Sequence, residues 1–272
     1  MSEIYLLGDI GRTKTRLAAS RDGQTVMLPL IEQTPADFNS GLTLIEKLIG
    51  ELPAERPAAV RGLCLGISRK VWPGAPLKSE LEKRLKCPVL VENDAALAGL
   101  GEAHYGAGRG FEIIVYITVS TGVGGVKIEH GRIDENALGF EPGQQVIMID
   151  GEPKTLEGLV SGGSVEGRFG KPPREITDEQ IWQELSRHLA LGLANSLLHW
   201  SPDCLVLGGS MFNPPGFKVT VMADLLRERL TIFPTLPAVR RAVLGEASGL
   251  YGALTYLKCS PGFKNLSTDF NF

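Results

Sequence analysis

A strand–glycine turn–strand hairpin occurs twice in this chain, and no other feature restricts the fold as much. The first copy reads Gly8-Asp9-Ile10-Gly11-Arg12-Thr13-Lys14-Thr15-Arg16, the second Thr118-Val119-Ser120-Thr121-Gly122-Val123-Gly124-Gly125. Each opens a stretch in which strand and helix patterns alternate. A repeat of this kind predicts two similar α/β halves with a cleft between them.

The periodicities fill in the halves. Ile4–Gly8, Thr15–Ala19 and Thr25–Leu28 alternate as strands, and Asp22-Gly23 is a hairpin signal, so an antiparallel meander is expected at the start. Phe38, Leu42, Ile45, Leu48 and Ile49 recur at helical spacing behind a cap at Thr34 or Asp37. Gly62–Ile67 suits an interior strand; Leu77, Leu81 and Leu85 mark a helix; Pro88–Val91 reads as a strand ending in Glu92-Asn93-Asp94, with an Ala-rich helix from Ala95 to about His104. The glycine-rich run Tyr105–Gly110 separates the halves. Beyond it come strands at Phe111–Val119 and Val123–Glu129, then a helix at 178–199, a strand at 204–207, a helix at 217–232, a strand at 239–244 and a last helix at 247–257. The expected domains are residues 1–108 with 246–258, residues 109–245, and a surface tail at 259–272.

Composition excludes several classes of function. The 272 residues are 43% hydrophobic and carry a formal net charge of −3, so there is apolar material for one large or two modest cores and no basic field for nucleic acid. No run approaches the ~18 apolar residues of a membrane helix. The start lacks a basic segment followed by an apolar one, so a cytoplasmic location is expected. Cys64, Cys87, Cys204 and Cys259 are scattered, as suits reduced thiols rather than a disulfide or zinc framework.

Four segments carry candidate chemistry, each with a plainer reading beside it. In the first hairpin, Gly11 permits close backbone approach to an anion, Thr13 adds a hydroxyl donor, and Asp9 at a strand end can hold Mg²⁺ through water; the alternative is a simple hairpin with a capping Asp. The hydroxyls and glycines of the second hairpin, Thr121 and Gly122 among them, suit a phosphate cradle, or a glycine-rich β-bulge. At the Glu92-Asn93-Asp94 corner, Asp94 can accept the proton of an attacking hydroxyl and Asn93 can fix that hydroxyl, or Asp94 merely caps the helix. Gly208-Gly209, after the strand, admits an adenine face or reflects tight strand-to-helix packing.

Taken in order, these pieces resemble the ROK (repressor, open reading frame, kinase) family of sugar kinases over roughly residues 4 to 257. Asp9-x-Gly11-x-Thr13-x-x-Arg16 looks like the family's first phosphate hairpin, and Pro88-Val-x-Val-x-Asn93-Asp94-Ala95 with Gly101-Glu102 like its catalytic segment. Thr121-Gly122-Val123-Gly124-Gly125 with His130-Gly131 looks like its second phosphate hairpin. Glu141-Pro142-Gly143-Gln144 is similar to its sugar-binding turn, Leu156-Glu157 to its second sugar-binding Glu. Asp203-x-x-Val206-x-Gly208-Gly209 and Gly249-x-x-Gly252-Ala253 resemble its adenosine side. The resemblance implies a two-lobed actin-like ATPase (ribonuclease H-like) fold and a glucokinase-like enzyme that uses ATP with Mg²⁺ and acts on a hexose or N-acetylhexosamine. It also implies a homodimer. Asp94 would be catalytic. Asn93, Asp94, Glu141, Gln144, Glu157 and Ser68 would bind sugar, and Asp9, Gly11, Arg12, Thr13, Thr121, Gly122, Gly208 and Gly209 would bind ATP, with Asp9 on the metal.

Three departures stand out. Arg12 replaces a second glycine. Gly66-Ile67-Ser68-Arg69-Lys70 replaces a Gly-x-Pro-Gly loop, where two cations would favour an acidic ligand or simply make a solvated loop. The family's structural zinc has no ligands here: Gln144 stands for its His, and the segment up to Glu157 is shortened and lacks Cys. No zinc is therefore expected. Arg12 and the altered loop also motivate a second reading, a non-catalytic sugar sensor on the same fold. A family repressor would need a preceding helix-turn-helix domain, for which the early first hairpin leaves no room.

Overall fold

The computed structural model describes residues 3–52 and 59–261. The chain packs as two units: residues up to Gly101 together with those from Glu246, and Glu102–Gly245.

In the first unit, β1 (Glu3–Ile10), β2 (Lys14–Ser20), β3 (Leu30–Gln33), β4 (Ala59–Ile67) and β5 (Val89–Asn93) form one sheet in the order β3-β2-β1-β4-β5. The first three are antiparallel, and β4 and β5 run parallel to β1. One face is covered by α1 (Phe38–Glu51) and α2 (Leu77–Leu85), where Ile4, Leu6, Ile10, Leu17, Leu42, Ile45, Leu63 and Leu81 make a core. The C-terminal helix, Ser248–Cys259, packs on β1 and β4. The division between units falls inside α3 (Asp94–Tyr105).

The second unit repeats this topology. It contains β6 (Ile113–Val119), β7 (Val123–Glu129), β8 (Arg132–Ile133), a separate hairpin of β9 (Val146–Ile149) and β10 (Glu152–Thr155), α4 (Leu156–Val160), α5 (Gly162–Phe169), α6 (Glu179–Trp200), β11 (Cys204–Gly208), α7 (Val219–Arg229) and β12 (Ala238–Arg241). Its large sheet has the order β8-β7-β6-β11-β12. Again three antiparallel strands are followed by two parallel ones. Its own core gathers Val115, Ile117, Leu156, Leu189, Leu193, Leu205, Leu207 and Met222.

The structure corrects the sequence reading in several places. Thr25–Leu28 is not a strand, and the third strand begins only at Leu30. The Asp22 carboxylate accepts from the amides of Gln24 and Thr25, each at 2.8 Å, which curls the chain into a wide loop instead of a two-residue hairpin. Pro29, which has no N–H, then delays pairing. The two-residue Asp-Gly turn occurs instead at Asp150 (φ 54°) and Gly151 (φ 81°), where it joins β9 to β10. The α1 cap is Asp37, whose carboxylate accepts from Ser40 N at 2.9 Å. The helix expected at 217–232 is the shorter α7, and the strand expected at 239–244 is β12. Cys259 ends the last helix instead of opening a tail, and residues 262–272 lie outside the described ones. None of Cys64, Cys87, Cys204 and Cys259 is in a disulfide; the first three are buried and Cys259 is exposed. Among the described residues no helix is long and apolar enough to cross a membrane.

Candidate active site

In the first unit, Asp9 lies near the end of β1, in register with Arg16 of β2 and Gly66 of β4. Antiparallel pairing places the guanidinium beside the carboxylate, with Arg16 Nη1 3.2 Å from Asp9 Oδ2. Arg16 Nη2 reaches Glu246 at 2.9 Å. The hairpin tip is exposed at Arg12 and Thr13. Gly11 does not take positive φ; its amide closes the turn on Lys14 O at 3.0 Å. Thr34, a cap candidate by sequence, instead straps the hairpin. Its hydroxyl donates to Gly11 O at 2.8 Å, and its amide donates to Thr13 O at 3.1 Å.

The β5–α3 corner supplies the other carboxylate. Asn93, not Asp94, caps α3: its Oδ1 accepts from Ala96 N at 3.1 Å. Asp94 is the first helical residue, and its Oδ1 accepts from Ala95 N at 2.9 Å. A Cβ at Gly66 would stand 3.3 Å from Asp94 Cα, so glycine lets the corner close against β4. Behind Asn93, Ser68, Arg69, Trp72 and Glu92 help line a pocket of about 400 Å³. Its loop is fixed by Ser68 N donating to Ile10 O at 3.2 Å and by the Trp72 indole donating to Pro35 O at 3.0 Å.

Burial raises the Asp9 pKa to about 6; Arg16 opposes the shift, and the negative charge of Asp94 adds to it. A sheltered carboxylate repelled by a second one, both hard oxygen donors, suits a divalent cation such as Mg²⁺. The sign of the resulting pH dependence is fixed. Below about pH 4 the Asp9 carboxyl is protonated in both folded and unfolded chains and contributes nothing. Between pH 4 and 6 the unfolded chain releases this proton while the folded one retains it, so stability falls as pH rises. Above the folded pKa the full cost, at most about 3 kcal/mol, is in place. Asp9→Asn should therefore gain thermal stability relative to wild type as pH rises from 4.5 to 7.5 without nucleotide or Mg²⁺; a Tm difference that stays flat across that range would refute the shift.

In the second unit, residues 120–122 turn β6 into β7. α5 holds this turn from outside: Gly162 N donates to Ser120 O at 2.7 Å and Gly163 N to Thr121 O at 3.3 Å. Glu157, in the first turn of α4, reaches the same turn, accepting from Val123 N at 2.9 Å. Glu141 and Gln144 flank Pro142 and Gly143, which pack directly on β7. Pro142, Gly143, Glu157 and the turn at residues 120–122 are thus gathered around one end of this sheet. Thr121 lines a pocket of about 340 Å³ with Gly162, Arg174, Trp182, Ser210 and Met211.

Gly208 and Gly209 are absent from that lining, and both have packing reasons to be glycine. A Cβ on Gly208 would lie 2.7 Å from the Tyr116 hydroxyl; Gly209 has φ 94° and abuts Val119. Ser210 and Met211, which follow them in the chain, line the pocket. Sequence reasoning missed these two, along with Glu246 and Tyr256, whose phenol is pushed up by burial and by the negative charge of Glu92. An ion pair such as Arg16–Glu246 joins residues so distant in the chain that no local pattern announces it.

The ROK family profile matches residues 7–259. A ROK hexokinase from Thermus thermophilus superposes with a TM-score of 0.79 at 27% identity, covering 94% of this chain and 98% of that one. A ROK family glucokinase from Streptomyces griseus, solved with glucose and AMPPNP, gives 0.74 at 24% identity over 93% and 98%. An N-acetyl-D-glucosamine kinase of Escherichia coli O157:H7 is 25% identical over 92% of this chain and 98% of its own length. The α/β architecture with two sheets is that of the two-lobed, actin-like ROK hexokinases.

Proposed function

This chain belongs to the ROK family, and we propose that it is an ATP-dependent sugar kinase that moves the γ-phosphoryl of ATP to a hydroxyl of a hexose or N-acetylhexosamine. The observation that carries this reading is the two carboxylates Asp9 and Asp94, placed at the ends of β1 and β5 on either side of β4 in one sheet, with Asp9 pinned by Arg16 and feeling the charge of Asp94. Relatives that phosphorylate N-acetylglucosamine and hexoses support it.

The roles follow from the chemistry of each group. The sugar hydroxyl gives its proton to the Asp94 carboxylate as its oxygen bonds to the γ-phosphorus, while the bond from that phosphorus to ADP breaks. Because Asn93 Oδ1 caps α3, the amide NH₂ of Asn93 is the group that can donate to the sugar. Ser68, Glu141, Gln144 and Glu157 offer further partners for ring hydroxyls. The hairpin tips at Gly11, Arg12 and Thr13 and at Thr121 and Gly122 hold phosphates, and the 340 Å³ pocket takes the nucleoside. Asp9 would hold Mg²⁺, whose charge neutralises the phosphates when it is bound.

An assay of ADP release across glucose, N-acetylglucosamine, N-acetylmannosamine and related sugars tests the reading. Turnover on at least one sugar is expected. Sugar binding without turnover on any of them would replace the kinase with a sugar sensor. Elemental analysis of the purified protein should find zinc well below one per chain, because the segment 145–156, which carries β9 and β10, contains neither His nor Cys.

A further inference from the structure

Two roles meet at the second hairpin, and one side chain links them. The Glu157 Oε2 atom accepts from Val123 N at 2.9 Å. The same atom would lie 2.6 Å from a Cβ placed on Gly122, closer than real Cβ contacts come. Gly122 is not required by its φ, since it does not take a left-handed conformation. What a side chain at Gly122 would have to displace is the tip of the Glu157 carboxylate, which occupies the space.

The helical turn that carries this side chain is itself held. Thr155 Oγ1 caps α4 by accepting from Gly158 N at 3.0 Å, and Ser164 Oγ donates to Glu157 O at 3.1 Å. Leu156 and Val160, on either side of Glu157 along α4, are buried in the unit's core. The side chain therefore projects from a fixed helical turn onto the turn at 120–122. Together with Gly162 and Gly163 on the Ser120 and Thr121 carbonyls, it clamps the turn from the β7 side as well as the β6 side.

We propose that Glu157 is a positioning residue for the phosphate hairpin, setting the conformation of Thr121-Gly122-Val123 through the Val123 amide and the space at Gly122. The inference rests on the kinase reading only for what the hairpin binds. It adds to the sugar-binding role implied by the family resemblance, and it makes Gly122 and Glu157 a single functional unit.

The test measures binding of Mg²⁺-AMPPNP by calorimetry and exchange of the Val123 amide by hydrogen-exchange mass spectrometry or NMR. Glu157→Ala should weaken AMPPNP binding about tenfold and speed Val123 exchange by a similar factor. Glu157→Gln retains an acceptor oxygen and should rescue both. Gly122→Ala should weaken AMPPNP alone, yet the double variant Gly122→Ala/Glu157→Ala should be no weaker than Glu157→Ala, because the added methyl then has room. Unchanged AMPPNP affinity in Glu157→Ala, or single-variant effects that multiply in the double variant, would overturn the inference. If the folded wild type does not bind AMPPNP, the kinase reading fails. The Val123 amide then still decides whether Glu157 sets the turn: unaltered exchange in Glu157→Ala overturns it, and accelerated exchange upholds it.

Discussion

Asp94→Asn is expected to lower kcat by about 10²–10⁴ while leaving sugar affinity and folding close to wild type. The transition state of phosphoryl transfer is loose, so the base chiefly orients the hydroxyl and takes its proton late. An amide can orient but cannot accept that proton at neutral pH. The structure makes this substitution cleaner than the sequence suggested. The helix cap belongs to Asn93, so it survives, and the bond from Ala95 N to the residue-94 side-chain oxygen can form with Asn as well. Removing the charge should also bring the Asp9 pKa down, since Asp94 is one of the groups that raise it. Steady-state assays paired with thermal melts check the prediction. Near-native turnover would remove Asp94 from the role of base.

The largest effect on stability is expected from Glu102→Ala. Glu102 is fully buried, and its carboxylate accepts from three backbone amides: Ala107 N at 2.9 Å, Val243 N at 3.0 Å and Leu244 N at 2.8 Å. The side chain thus ties the end of α3 to the segment after β12, within one unit. Alanine would leave three amides without their acceptor, at about 1–3 kcal/mol each. A loss of at least about 3 kcal/mol is expected, lowering Tm by at least about 6–12 °C. Glu102→Gln keeps one acceptor oxygen and should fall between. A Tm within about 2 °C of wild type for Glu102→Ala would show that water replaces the carboxylate.

Glu102 also explains what the glycine-rich run at 105–110 is for. The sequence suggested a separator between halves. In the structure Gly108 N donates to Glu102 O at 2.9 Å, and a Cβ on Gly106 would collide with the Glu102 carboxylate. The run is a tight wrap around a buried acid, and packing divides the chain earlier, at Gly101 and Glu102. Glycine content signals a close approach but not which group is being approached.

Much of the fold was legible because its determinants are local. Alternation in Ile4–Gly8 and Thr15–Ala19, the apolar run at Gly62–Ile67 and the helical spacing from Phe38 to Ile49 each dictate an element within a few residues. The repeated hairpin dictated the duplicated sheet topology. Among the candidate residues, Asp9, Asn93, Asp94 and Thr121 could be singled out because each stands at the junction of two periodic patterns. Tertiary structure alone decided the partners. Thr34 straps a hairpin instead of capping a helix, Arg16 is shared by Asp9 and Glu246, and Glu157 lies in the space left by Gly122. Periodicity specifies which face of an element is apolar, whereas the polar contacts depend on how separately specified elements approach one another, and that distance is set only when both cores have packed.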